Sequence, residues 1–391
     1  MGQSEDGPAL VFLARAASRK RYYTFFPPPA SDCVAFLAPR PGVNMIATES
    51  SLARLAPTIS RKLAFTFFLT LCASIFTLSA FARKVTIITF DPLGSVQTMP
   101  MSINAGGAIT GSYSDGTTTH GFLRMPDGTI TTFDGPGATG TLPASINAAG
   151  AITGYYFTST TSHGFLRAPD GSITTFDPPT ADYTYVYSIN SHGAITGFYI
   201  AAAVSHGFVR DSDGTITTFD PPASIGTVAS AINDPGAIAG YYLDSSYMIR
   251  GFLRAPDGTF ATFTVIEGQN TQPIGMNSSG EVMGTTYDTT GNIVADFVRA
   301  LDGSITTFSP TEGSSITVPF AINNGGRIVG YHTNPQGISR GFLRRPNGSI
   351  TTFEVPGATL IFPESINSAG AIAGYYQANG NSNPHGFLLT P

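Results

Sequence analysis

An all-β chain folded as a seven-bladed β-propeller of four-stranded antiparallel blades is what these 391 residues predict, and three observations carry the prediction. A unit with a period of 43 to 46 residues repeats from residue 85 to the C-terminus. Each copy holds four short β signals, and the copies start and stop one strand out of phase.

The period is read from three markers, since a missed repeat misassigns the whole fold. An Ile-Asn step places Asn104, Asn147, Asn190, Asn233, Asn277 (after Met276), Asn323 and Asn367 at spacings of 43, 43, 43, 44, 46 and 44. A Gly-Phe step gives Phe122, Phe165, Phe208, Phe252, Phe297 (after Asp296), Phe342 and Phe387. A Thr-Phe step gives Phe90, Phe133, Phe176, Phe219, Phe263, Phe308 and Phe353.

Within one copy, Leu142 to Asn147 reads as the first strand and is followed by an Asn-Ala-Ala-Gly turn. Ala151 to Tyr156, rich in β-branched and aromatic residues, is the second. His163 to Arg167 is the third, Pro-Asp-Gly makes a tight reversal, and Ser172 to Asp177 is the fourth. Gly and Ala in the second strand (Ala151, Gly154; Ala194, Gly197) are expected where a wedge-shaped blade narrows. The repeat region opens with a lone fourth-type strand, Val85 to Asp91, and ends after a third-type strand, His385 to Leu389. The first therefore completes the last blade, because an open array would leave two sheet edges unpaired.

Residues 1–44 lack periodicity and read as a disordered or upstream extension, with Met45 as an alternative start. Residues 45–82 carry Arg61-Lys62, the apolar run Leu63 to Ala82 and Ala80-Phe81-Ala82, which together read as a signal peptide; an uncleaved membrane anchor over 63–82 is the alternative. Either way the repeat domain, 83–391, is expected outside the cytoplasm. Both cysteines, Cys33 and Cys72, precede it, so it has no disulfide. From residue 83 there are 12 basic and 21 acidic residues, a net charge of −9, which disfavours nucleic acid as a partner.

The repeats His120-Gly121-Phe122-Leu123, His163-Gly164-Phe165-Leu166, His206-Gly207-Phe208-Val209 and His385-Gly386-Phe387-Leu388, beside Ile-Asn-x-x-Gly, resemble the HAF family of probable extracellular repeats. The family is named for His-Ala-Phe, and here the middle residue is Gly. The resemblance spans about 85–391 and implies an extracytoplasmic location without an established activity. Arg250, Ala295 and Arg340 stand where other copies have His.

The four His residues are expected to cap strands or bond to loops rather than hold a metal. The seven Asn residues are expected to build Asx turns rather than a channel-lining ring. Asp127, Asp170, Asp213, Asp257 and Asp302, with Asn347 in their place once, read as turn formers. Connections between second and third strands, and between blades, vary most and share one rim, the expected binding face. There fall Asp115, Asp182, Asp244, Glu267, Asp288, Glu312 and Glu364, with Tyr113, Tyr156, Tyr199, Tyr242, Tyr287 and Tyr376 ending second strands nearby, joined by Tyr183, Tyr185 and Tyr187. Such a set suits a carbohydrate or a peptide, while the plain reading has Tyr filling blade interfaces and the acids keeping the protein soluble. The leading functional reading is a non-catalytic extracytoplasmic binding protein. A glycan-active hydrolase or lyase is the alternative, and a structural or adhesive surface protein the third option. No catalytic pair, metal cluster or cofactor motif stands out.

Overall fold

The computed structural model describes residues 86–309, 316–334, 336–378 and 383–391. The extension 1–44 and the signal 45–82 lie outside the described residues.

Every regular element among the described residues is a strand, and the 28 strands run as seven antiparallel meanders of four. These units occupy 97–133, 140–176, 183–219, 224–263, 270–308, 316–353 and 358–390. The seventh holds three strands of its own and gains a fourth, Thr86–Phe90, which pairs antiparallel with Pro384–Thr390. The N-terminal and C-terminal strands thus meet as the phase of the repeat requires. The hydrogen-bonded sheets number six, not the seven expected, because Thr119 of the first unit pairs in parallel with Gly140 of the second and fuses the two units into one eight-stranded sheet; no sheet closes on itself.

A bulge shapes the first strand of every unit. The register with the second strand skips Met101, Ala144, Tyr187, Ser230, Ile274 and Phe320 in the first six units, and Pro363 with Glu364 in the seventh. A bulge leaves one residue out of the ladder and re-aims its side chain. It also explains the second-strand glycine: a Cβ on Gly111 would sit 2.1 Å from the Met99 carbonyl oxygen, and one on Gly197 2.1 Å from that of Tyr185. The small residue there answers the bulge beside it, which corrects the expectation that a narrowing wedge selects it.

Neighbouring units are locked by three repeated contacts. The third-strand phenyl rings, Phe122 through Phe387, are fully buried, and each excludes enough water to contribute roughly 2 kcal/mol. Phe122 meets Phe90 edge-on at 6.1 Å between centroids, and Phe165 meets Phe133 at 6.0 Å. Two residues on, an arginine lies over the same partner ring, Arg124 on Phe90 at 4.8 Å and Arg210 on Phe176 at 5.1 Å. The Asn of the Ile-Asn step does two jobs. Its Oδ1 accepts the amide four residues on, as from Ala108 to Asn104 at 2.9 Å, and its Nδ2 donates to the carbonyl of the next unit's Asn. The donation runs from Asn104 to Asn147, Asn190 and Asn233, again from Asn277 to Asn323 and Asn367, and from Asn367 back to Asn104 at 3.1 Å. The turn and the ring, posed as alternatives by the sequence, are one structure.

Candidate functional site

The skipped residues define an axial cavity. Met101, Ala144, Tyr187, Ser230, Ile274, Phe320 and Glu364, one from each unit, line a space of about 230 Å³. Glu364 is the single charged member. A second cavity of about 70 Å³ lies beside it, between the fifth, sixth and seventh units, and shares Ile274, Phe320 and Glu364. Its other walls include Gln272, Tyr287, Tyr331, Phe362 and Tyr375. Gly291 and the strand-end residues Tyr287, Ile293 and Ile316 place it toward the rim of variable connections.

Aromatic rings pack tightly here. Phe362 stacks on Tyr375 with centroids 4.7 Å apart, Tyr331 meets Phe362 edge-on at 5.2 Å, and Phe320 stacks on Tyr331 at 5.8 Å. Burial pushes the Tyr375 phenol well up, with the negative charge of Glu364 adding to the shift. Burial also raises the Tyr241 phenol, although its hydrogen bond to Gln272 works the other way.

One row of side chains shows where the repeat is broken. Directly paired residues of the first, second and third strands read Leu142, Tyr155, Gly164 in the second unit and Tyr185, Phe198, Gly207 in the third. They read Val318, Tyr331, Gly341 in the sixth and Phe362, Tyr375, Gly386 in the seventh. In the fifth unit the row is Gln272, Thr285, Asp296. All three are buried. Thr285 Oγ1 donates to Asp296 Oδ1 at 3.0 Å, while Oδ2 has no hydrogen-bond partner among the described residues. Desolvation holds the Asp296 carboxyl well above the usual carboxylate range.

Of the sixteen acids and tyrosines singled out in the sequence, Tyr287 and Glu364 come together in the side cavity, and Tyr187 lines the axial one with Glu364. Glu364 belongs to the strand Ala358–Ile366, not to a variable connection: it is the seventh unit's bulge residue, and reading it as loop missed the repeat position it fills. Tyr113, Tyr156, Tyr199 and Tyr376 lie against His120, His163, His206 and His385, with centroids 5.1 to 5.8 Å apart. Each of these His residues bonds through Nδ1 to Asp134, Asp177, Asp220 or Asp91 at 2.7 to 2.9 Å. The carboxylates of Asp134 and Asp177 also accept a hydroxyl from the next unit, from Thr141 and Thr184. Tyr242 is buried among Phe219, Phe252 and Val209. Tyr287 sits one position later than the other five, whose place Thr286 takes in the fifth unit.

The loop acids hold their own turns. Asp115 accepts the amides of Thr117 and Thr118 at 2.7 and 2.8 Å, which pull its carboxyl down, and it also reaches His120. Burial opposes charge on the His120 ring, but Asp134 and Asp115 outweigh it and raise its pKa. Asp182 accepts Ala202 N at 3.0 Å, and Asp244 accepts Ser246 N and Met248 N and pairs with Arg250. Asp288 accepts Thr290 N and Asn292 N, and bonds from Thr290 and Asn292 bring its carboxyl to about 2. Glu267 is exposed in a turn, and Glu312 lies outside the described residues. Asp127, Asp170, Asp213, Asp257 and Asp302 each accept the amide two residues on, as turn formers do.

Gln272, Phe320, Phe362, Tyr331 and Tyr375 were not singled out in the sequence. A row-by-row alignment of the repeats carries the signal: only the fifth copy puts Gln, Thr and Asp in this row, where the first has Met99, Ser112 and Gly121 and the others have aliphatic or aromatic residues and Gly.

No family model and no curated protein matches this chain. Solved structures do. A catalytically inactive virginiamycin B lyase from Staphylococcus aureus with quinupristin is 15% identical with a TM-score of 0.55, covering 79% of this chain and 100% of that one. A streptogramin B lyase is 14% identical at 0.52, covering 78% and 97%. The β-propeller domain of the trilobed protease from Pyrococcus furiosus, described as having an open velcro topology, is 9% identical at 0.52, covering 75% and 94%. At these identities the likeness establishes the propeller fold alone.

Proposed function

We propose that the chain is a seven-bladed propeller, closed where Thr86–Phe90 completes the last blade, that acts outside the cytoplasm as a non-catalytic binding protein. Its ligand, a group on a polysaccharide, a peptide or a surface partner, enters the side cavity between the fifth, sixth and seventh blades. One observation carries the reading: the repeat is broken at the row Gln272, Thr285, Asp296, next to the cavity that holds Tyr287 and Glu364. A repeat retained for packing alone has no need of three buried polar groups in one row. The resemblance to the HAF family and the signal segment 45–82 support the extracytoplasmic location. A glycan hydrolase generally needs two carboxylates roughly 5 to 10 Å apart, and the cavity lining supplies one, Glu364.

The test is a glycan and peptide binding screen on the full chain, followed by Tyr287→Ala and Glu364→Gln. Both variants are expected to weaken any hit at least tenfold, about 1.4 kcal/mol, while Tyr156→Ala, packed against His163, leaves it unchanged. A hit that survives both cavity variants would place the ligand elsewhere.

A further inference from the structure

The cavity at the fifth to seventh blades has a chemical character that narrows its ligand, an inference that rests on the binding reading above. Its walls are aromatic and aliphatic, with Tyr287, Phe320, Tyr331, Phe362 and Tyr375 supplying five rings. Glu364 is the one carboxylate in the lining, and no Lys, Arg or His is present there. An anion would meet the Glu364 carboxylate with no cationic side chain in the lining to offset it, so anionic ligands are disfavoured. A sugar ring needs an open flat platform, whereas Tyr331, Phe362 and Tyr375 are 6%, 6% and 2% exposed and already packed against one another, Phe362 stacked on Tyr375 and edge-on to Tyr331. A compact cation is what ring faces and a carboxylate attract together.

Size fits the same answer. The side cavity of about 70 Å³ admits a small head group, and Ile274, Phe320 and Glu364 are common to it and to the axial cavity of about 230 Å³. A charged head at Glu364 therefore leaves room for an apolar stem along Ile274 and Phe320. The repeat domain's net charge of −9 also draws cations towards it from a distance.

We infer that this site takes an organic cation, an ammonium or guanidinium on a short apolar stem, with Glu364 as its counter-charge and the rings of Phe320 and Tyr287 as walls. Two sources share that chemistry, a free alkylamine and the side chain of a basic residue in a peptide.

Calorimetric titration of the full chain with n-butylammonium, N-acetyl-lysine amide, the neutral isostere 1-butanol and a neutral oligosaccharide tests it. The cations are expected to bind, 1-butanol at least tenfold more weakly, and tighter binding of the lysine amide would identify the peptide source. Glu364→Gln is expected to weaken the cations about tenfold or more, and Phe320→Leu about threefold, with butanol unaffected by the first. Glu364→Gln keeps the shape of the site and Phe320→Leu keeps its apolar character without the ring, and unchanged thermal unfolding would confirm that both fold. If 1-butanol or the oligosaccharide binds as tightly as the cations and Glu364→Gln changes nothing, the cation inference is overturned while the cavity remains a binding site. If no probe binds and the screen hits survive the cavity variants, both readings fail.

Discussion

The third and fifth units are built on one plan and bury different things. Each donates its Asn amide forward or lies on the same ring, Asn190 to Asn233 and Asn277 to Asn323. Each has a bulge carbonyl pressed against a glycine, Tyr185 on Gly197 and Gln272 on Gly284. Each sets an arginine on the preceding unit's phenyl ring, Arg210 on Phe176 and Arg299 on Phe263. Across the same three strands, however, the third unit carries Tyr185 stacked on Phe198 at 4.8 Å, and the fifth carries Gln272, Thr285 and Asp296. The residues that agree bond to backbone or to the next unit, so the fold depends on them. The row between them makes none of those frame contacts through its side chains, and there the fifth unit buries polar groups where the third buries rings.

The largest effect should come from the shared frame. Gly197→Ala and Gly284→Ala each force a methyl group against a carbonyl oxygen at 2.1 or 2.2 Å and should cost about 3 kcal/mol alike in urea unfolding. A tolerated Gly284→Ala beside a ruinous Gly197→Ala would show that the two units do not share a frame. Next come Asn190→Ala and Asn277→Ala, each stripping a buried turn and an inter-unit bond for about 2 kcal/mol. Unequal costs would mean that the ring is not one device repeated.

The smallest change should sharpen the contrast through pH. Burial raises the Asp296 carboxyl well above its ordinary 3.8, so the folded state prefers it protonated. That preference favours folding fully below the unfolded carboxylate pKa and fades as pH rises towards the folded value. Asp296→Asn removes the dependence. The variant should match the parent near pH 3 and become the more stable of the two as pH climbs, whereas the third unit, with Gly207 at the same position, has no carboxyl there to titrate. Stability difference between parent and variant that is flat from pH 3 to 8 would show Asp296 to be solvated.

Much of the frame was legible in the sequence because it is periodic. Four strands per copy, the Asp-Gly turns and the pairing of Thr86–Phe90 with Pro384–Thr390 all follow from markers repeated in register. The bulge was not legible, since a skipped residue such as Met101 or Tyr187 has no composition of its own and only the ladder exposes it. The arginine-on-phenyl contact was hidden for another reason: Arg124 and Phe90 are 34 positions apart and belong to different units. The candidate site was legible only in Tyr287 and Glu364. Tyr113, Tyr156 and Tyr199 end second strands as a rim residue would, yet their histidine neighbours claim their faces. Gln272 and Phe362 are 90 positions apart in the chain, and only the packing of the fifth, sixth and seventh units brings them to one cavity.

The skipped residue of each first strand stands outside the ladder, so its identity is released from the pairing rules that govern its neighbours. Seven codons, at 101, 144, 187, 230, 274, 320 and 364, can drift independently while the scaffold stays put. Duplicated copies of one ancestral segment would in this way acquire individuality along a shared bore, much as identical keys are cut differently at a single notch.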